Sequence, residues 1–203
     1  MGSQVFPTKN NLMATKKSLA LANLGYDLMD RKRNILVREM MGLIDRSKTI
    51  QSDINAAYAQ AYSDLQEAHL TMGNCSESAK SIPVDNSLEI TVRSVMGVEL
   101  PTITIGEPDL GFYYGMNATN SLLDEAYIKF NEVKKLTVQL AEIESNVIRL
   151  ADAIKKTQKR TNALSNIMIP KFTSTIKYIS DALDEKERED FSRLKVIKRQ
   201  KRS

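Results

Sequence analysis

Side chains able to do chemistry are sparse in this sequence. His69 is the only histidine and Cys75 the only cysteine. Cys75 has no His or Cys nearby to suggest a metal site or an activated nucleophile, and His69 reads as a packing or surface residue. Gly106-Glu-Pro-Asp-Leu-Gly111 has the glycine spacing of a phosphate loop, but Phe112 and Tyr113 follow where Lys and Ser/Thr must stand, so no phosphate is cradled there. Asn74-Cys-Ser76 and Asn117-Ala-Thr119 match the glycosylation sequon; with no secretory signal ahead of them they read as chance matches. Glu185 and Glu189 lie one helical turn apart beside Lys186 and Arg188, the pattern of a solvated face rather than of an acid–base pair. No active site is visible, and no cofactor, nucleotide or metal is expected. Binding or mechanical work is the expectation.

Composition points the same way. The chain has 203 residues, of which 42% are hydrophobic, 27% charged and only 6% aromatic, with 8 Gly, 5 Pro and no Trp. A globule of this length carries more aromatic bulk and more turn residues, so the balance leans towards long, surface-exposed helices. No apolar run approaches the roughly 18 residues of a membrane span. The start lacks the charged and apolar regions of a secretory signal, and Met1-Gly2 fails the acylation pattern because Phe6 stands where Ser or Thr is needed. A single cysteine excludes an intramolecular disulfide and suits a reducing compartment. The expectation is a soluble, cytoplasmic protein.

Breakers divide the chain. Pro7, Pro83, Pro101, Pro108 and Pro170 are the only prolines, and four of the eight glycines fall between Pro83 and Asn117. Long proline-free arms around a breaker-rich block predict helix, irregular middle, helix. In the first arm, steps of seven from Leu12 give Leu19, Tyr26, Arg33, Met40, Ser47, Ile54, Ala61 and Ala68. The companion register from Thr15 gives Ala22, Met29, Leu36, Leu43, Ile50, Ala57 and Asp64. Most of these positions are apolar or Tyr, which is a coiled-coil seam. A helix from about Asn10 to Met72 would run roughly 95 Å at 1.5 Å per residue. In the second arm Leu136, Leu140, Ile143, Val147, Leu150, Ile154, Thr157, Thr161, Leu164 and Met168 alternate by four and three. Past Pro170 the stripe resumes in a shifted phase as Phe172, Ile176, Ile179, Leu183, Phe191, Leu194 and Ile197, as a stutter or proline kink produces. Between the arms, Ser87 to Val92 and Val98 to Ile105 alternate with period two around Arg93 to Gly97, and a small β-hairpin is predicted, with an unstructured linker as the alternative. Pro101 makes its strand an edge, and an isolated hairpin must lean on the helices or a partner. The fold expected is mainly α, a long antiparallel two-helix coiled coil with a short hairpin. Its parts are an N-terminal helix over 1–78, a middle segment over 79–116 with the hairpin at about 87–105, and a C-terminal helix over 117–203, kinked near Pro170 and ending in a basic tail.

Charge is sorted along the chain. Residues 1–50 carry +5, residues 51–145 carry −9 and residues 146–203 carry +8. If the arms fold back antiparallel, about +13 gathers at the end carrying the termini and −9 at the hairpin end, and the two ends meet partners of different electrostatic character. The basic tail, with Arg193, Lys195, Lys198, Arg199, Lys201 and Arg202, could contact nucleic acid or anionic lipid, or simply be solvated. It has no interleaved aromatics for base stacking, and no nucleic-acid-binding motif appears elsewhere.

These residues resemble a known family. Pro7-Thr8 with Leu12, Leu19 to Ala22, Gly25 to Met29 and Arg31-Lys32-Arg33 are similar to the N-terminal arm of the D subunit of V/A-type rotary ATPases. Lys159-Arg160, Asn162 to Leu164, Ile169-Pro170, Thr175-Ile176, Ile179, Leu183 to Glu189, Arg193 to Lys195 and Lys198 resemble its C-terminal signature, and Ile90 to Val92 with Val95 to Pro101 its hairpin. The resemblance runs over essentially the whole chain and is closer to prokaryotic members. It implies the central shaft of a rotary motor with no active site. By the same resemblance the shaft is expected to couple ATP hydrolysis or synthesis in a hexamer of catalytic A and B subunits to rotation of a membrane ring and to H+ or Na+ transport. A small F subunit is expected to clasp its side, and a socket subunit to link it to the ring. Direct nucleic-acid binding is not implied, and the membrane is met only through the complex, on its cytoplasmic face.

Torque transmission needs a pair of helices that resists twist, and a bearing needs charged, individually weak contacts. Arg31, Lys32, Arg33, Lys159, Arg160, Arg193, Lys195 and Lys198 are expected at the bearing with the hexamer. Ile54, Tyr58, Tyr62, Leu65, Phe130, Val133, Leu140 and Val147 are expected against the F subunit, and Ile90, Val92, Met96, Val98 and Leu100 build the hairpin. Aligning Met72 near Leu123 places Gly25 opposite Pro170. Polar seam positions Arg33, Ser47, Thr157 and Thr161 are expected to lower stability. A stand-alone coiled-coil scaffold, or a coiled coil that binds nucleic acid through the basic tail, is the alternative; the latter requires a steep salt dependence.

Overall fold

A computed structural model of the chain describes residues 6–106, 111, 113–115 and 119–201. Gly2, residues 107–110 of the glycine loop, Phe112, Asn117 of the second sequon and Arg202 of the basic tail lie outside the described residues. Helix α1 spans Lys9–Met72 and a short α2 spans Ser76–Lys80. Strands β1 (Leu88–Val95) and β2 (Val98–Ile105) follow, then α3 (Ser121–Ala163), a π-helical turn (Leu164–Met168) and α4 (Ile169–Gln200). The architecture is mainly α: a long N-terminal helix, a long C-terminal helical arm and a two-stranded antiparallel hairpin between them in the chain.

Local chemistry sets the limits of α1. Thr8 Oγ1 accepts the Asn11 N–H at 3.2 Å and caps its first turn. At the other end Gly73 takes φ +77°, and its N–H bonds the His69 carbonyl at 2.9 Å, a left-handed stop that glycine adopts without steric cost. No proline interrupts the span between them. Every heptad position from Leu12 to Ala68 is buried or half-buried, including polar Thr15, Arg33, Ser47 and Asp64. A strict seven-residue repeat keeps one stripe of a helix turned to a neighbour, and that stripe is the seam.

The chain divides into two compact units, residues 1–34 with 155–203, and residues 35–154. In the first, the start of α1 pairs with the C-terminal arm in antiparallel sense. Arg33 Nη1 donates to Gln158 Oε1 at 2.9 Å, Gly25 faces Leu164, and Lys9 Nζ reaches Glu187 Oε1 at 2.9 Å. Glu187 raises the pKa of the Lys9 ammonium above its ordinary value, through a hydrogen bond and through its charge. Gly25 does not sit opposite Pro170: a Cβ added to it would lie 3.9 Å from Leu164 Cδ1 and meet no other neighbour within 4 Å. The Arg33–Gln158 pairing belongs to a different register from the one that aligning Met72 near Leu123 gives. The interruption expected at Pro170 is the π-turn just before it, where Ile169 N–H bonds the Leu164 carbonyl five residues back. A proline lacks the N–H for an ordinary helical bond and crowds the preceding turn; the wider π-turn absorbs both and advances the helix phase by one residue.

The second unit holds a core of Leu36, Leu43, Leu100, Ile143 and Leu150, with Met40, Ile50, Val95, Val98, Val147 and Ile154 packed around it. The hairpin therefore takes part in the core through its turn end. Its loop is shorter than expected: β1 continues through Arg93 and Ser94 to Val95, and Met96-Gly97 alone make the turn, with φ of +52° and +75°. Two successive positive φ values define the tight turn whose twist matches that of the flanking strands.

Candidate functional site

Nothing in the described fold assembles reactive groups. Among the described residues no group of three or more His, Cys, Asp or Glu is placed to hold a metal, and no helix is long and apolar enough to cross a membrane. His69 is exposed, and Cys75 is buried with its Sγ 3.5 Å from the Gly73 carbonyl oxygen. Both line a mostly apolar cavity of about 360 Å³, together with Leu65, Leu123, Ala126 and Phe130. Tyr114 stands at this cavity and donates to Asp124 Oδ1 at 2.5 Å. Burial and that acceptor together push its hydroxyl above the usual tyrosine range, so it stays protonated.

In the first unit the surface is basic. Its sequence carries 20 Lys and Arg against 8 Asp and Glu, a net +12, whereas the second unit carries 9 against 17, a net −8. Arg31, Lys159 and Arg160 are exposed on the two paired helices, and Lys32 is half-buried. Arg33 is turned inward. Besides Gln158 it pairs with Asp30 Oδ1 at 2.6 Å, while Gln158 Nε2 donates to Asn162 Oδ1 at 2.8 Å. Buried Thr161 donates to the Thr157 carbonyl at 3.0 Å. The polar seam positions Arg33 and Thr161 are thus hydrogen-bonded, and a satisfied polar layer of this kind fixes register. From Asp184 onward every described residue is exposed, apolar ones included: Phe191 at 68%, Leu194 at 64%, and Val196 and Ile197 beside them. They share this helix with Arg193, Lys195 and Lys198, so α4 ends as an amphipathic basic helix with its apolar side open. Arg193 also contacts Glu189 at 3.6 Å, one turn back.

In the second unit, Tyr58 and Tyr62 stack at 6.0 Å and Tyr62 meets Phe130 edge-on at 5.5 Å. Tyr62 is 53% exposed, which brings this aromatic group to the surface. Ile54 and Val133 are buried in the seam, Val147 packs on the core, and Leu65 and Leu140 are half-buried. Of the hairpin residues, Leu100 is fully buried and Val98 joins the core, whereas Ile90, Val92 and Met96 are exposed.

The device holding the hairpin was not foreseen. Arg149 Nη1 donates to the Glu99 carbonyl at 3.1 Å, and Asn146 Nδ2 donates to the Pro101 carbonyl at 3.0 Å. Glu142 Oε2 accepts the Ile103 N–H at 3.0 Å. Three side chains on one face of α3 thus match alternate residues of one strand edge, and they satisfy the backbone groups that Pro101 and its neighbours would otherwise expose. The signal in the sequence is polar residues at 142, 146 and 149 beside an otherwise apolar stripe. At the start of the hairpin, Lys134 pairs with Asp85, which also accepts the Ser87 N–H at 2.9 Å. The Lys134 ammonium, then Ser87, hold the Asp85 carboxyl well below the usual carboxylate range.

The family of the ATP synthase D subunit matches residues 11–199. This chain belongs to that family. It is 44% identical to the D subunit of the V-type ATP synthase of Thermotoga neapolitana over 96% of its own length and 97% of the relative's. It is 35% identical to the D subunit of the A-type ATP synthase of Methanosphaera stadtmanae, covering 95% and 92%. For the corresponding A-type protein of Pyrococcus horikoshii the identity is 34%, covering 96% and 94%. The match takes in both units, the α3 residues that clamp β2, the π-turn with Pro170 and the exposed basic helix up to Arg199.

Proposed function

We propose that this chain is the central shaft of a V/A-type rotary ATPase, a non-catalytic component that transmits torque between the nucleotide-binding hexamer and the membrane ring. The observation that carries this reading is the unbroken seam: every heptad position from Leu12 to Ala68 is inward-facing, in a chain that belongs to the family of ATP synthase D subunits along nearly all of its length. Paired helices packed knobs-into-holes transmit rotation without unwinding. One asymmetric shaft inside a ring of repeated catalytic subunits shows each of them a different face, so each favours a different conformation, and turnover at one biases the shaft towards the next.

On this reading the basic first unit lies within the ring of A and B subunits. Arg31, Lys32, Lys159, Arg160, Arg193, Lys195 and Lys198 supply its charged bearing contacts, and Arg33 stiffens the pair from inside. The F subunit lies along Ile54 to Leu65 and Phe130 to Val147 and meets Tyr62 first, with Tyr58, Leu65, Phe130 and Leu140 behind it and Ile54, Val133 and Val147 backing the helices. The acidic second unit seats in the socket above the ring. The complex sits peripherally on the cytoplasmic face, and the ion moved is H+ or Na+.

A rotation assay tests the proposal. The A and B subunits are immobilised, the chain is bound together with the F subunit, and a bead is fixed to the chain away from the ring. Unidirectional, ATP-dependent rotation of the bead is expected. A ring that hydrolyses ATP with this chain bound while the bead stays still would overturn the shaft role. A scaffold outside the motor would fail earlier, by not binding the ring at all.

A further inference from the structure

The hairpin leaves one sheet edge open. In an antiparallel pair, residues whose N–H and C=O face the other strand alternate with residues whose groups face away. The carbonyls of Glu99 and Pro101 and the N–H of Ile103 are all taken by α3 side chains, so the odd-numbered residues of β2 face outward. Pro101 pairs with Val92, and the outward residues of β1 are therefore Leu88, Ile90, Val92 and Ser94. On β2 this edge is closed by α3. On β1 no hydrogen bond found among the described residues reaches the outward groups of these four, and every residue from Leu88 to Ser94 is exposed. Ile90 and Val92 are 63% and 62% exposed. An apolar strand edge of this length is a template for pairing with another strand.

We propose that β1 pairs with β1 of a second copy of this chain, antiparallel and centred on Thr91, joining two hairpins into one four-stranded sheet. Charge selects both the occupant and the register. Outward residues must face outward residues for the ladder to form, which allows a centre at any residue of the strand, and centres at Ile90, Thr91 or Val92 give the longest ladders. Only the Thr91 centre sets Glu89 opposite Arg93 of the second copy and, by symmetry, Arg93 opposite its Glu89. Neither residue is in an ion pair among the described residues, and both are exposed. The same register sets Ile90 against Val92 in both directions and Leu88 against Ser94, each of these pairs exchanging two backbone hydrogen bonds. Opposite charges and apolar β-branched side chains directly across two strands are the stabilising cross-strand pairs. The self-complementarity is that of a two-fold contact between identical surfaces. The pairing concerns the chain outside any complex and stands apart from the shaft reading.

Sedimentation of the full-length chain over a wide range of concentration tests it. The average mass should rise from that of the monomer towards that of the dimer. Val92→Pro, which removes only an outward N–H and leaves the hairpin's own ladder intact, should abolish the rise. Glu89→Arg creates two like-charged pairs across the interface and should weaken association about tenfold. Glu89→Arg combined with Arg93→Glu restores opposite charges and should recover the wild-type constant. This charge pair carries the test even where the proline variant is unstable. A chain that stays monomeric throughout overturns the proposal, and so does a dimer in which the double reversal is no tighter than the single one. A monomer that binds an unrelated strand-forming peptide on this edge overturns it too, and assigns the edge to a foreign strand instead.

Discussion

Asn146 shows how much one side chain can decide about where a hairpin is held. It is 3% exposed, gives its Nδ2 to the Pro101 carbonyl, and has its Oδ1 buried with no hydrogen-bond partner among the described residues. The residue whose carbonyl it binds is a proline and has no N–H to return. Asn146→Leu should cost about 1–3 kcal/mol, because the Pro101 carbonyl then loses its donor in a buried place. Pro101→Val supplies an outward N–H to the orphaned Oδ1. In a double-mutant cycle by chemical denaturation, Pro101→Val should be more favourable with Asn146 present than with Leu there, by about 1 kcal/mol. Equal effects in the two backgrounds would show that the new N–H does not reach Oδ1. Asp85 responds to pH instead. Its folded pKa is lowered by Lys134 and Ser87, so its contribution is fully present above the ordinary carboxylate pKa and is lost as pH falls through the folded value. The difference in thermal midpoint between wild type and Asp85→Asn should therefore be largest near neutrality and close in acid, and it should shrink with salt because the pair is solvent-accessible. A gap that widens on acidification would contradict the sign.

The helices divide their apolar residues sharply between packed and open. Leu150 is fully buried in the core of the second unit, whereas Leu194, in the apolar stripe that resumes past Pro170, is exposed. Leu150→Ala should destabilise by about 2–5 kcal/mol, and Leu194→Ala by no more than about 0.5 kcal/mol, both by denaturant unfolding. Periodicity could not separate these two positions, because a heptad states which side of a helix is apolar and not where a partner is present. The hairpin was legible from alternation, but Arg93 and Ser94 read as loop. They form strand because Met96-Gly97 alone can turn the chain, and because α3 pins the opposite strand. The π-turn was legible only as a phase slip at Pro170. Whether such a slip is a kink, a stutter or an inserted residue depends on which backbone bonds re-form.

For the molecule as a whole, charge is the property that points to partners. The two units carry +12 and −8, a separation that serves orientation and recognition rather than folding. Arg193, Lys195 and Lys198 are all exposed, so reversing the three to Glu should leave the unfolding midpoint of the isolated chain nearly unchanged. If they bear on the catalytic ring, the same variant should lower ATP-driven rotation and weaken binding to the ring, with the wild-type contact also weakening as ionic strength rises. Undiminished binding and rotation at low salt would remove these residues from the bearing.

Heptad spacing, proline placement and β-branched alternation sufficed for the helical arms, the seam and the hairpin, because those patterns follow from the fixed periods of helix and strand, which need no knowledge of the partner. The register of the arms was different. Aligning Met72 near Leu123 set Gly25 against Pro170, and tertiary structure sets it against Leu164, because an apolar stripe offers near-equivalent contacts at every turn and spacing alone does not choose among them. The clamp of Glu142, Asn146 and Arg149 on β2 was likewise settled only in three dimensions. It joins residues about 40 to 50 positions apart in the chain, and no local period records which helix face a distant strand edge will meet.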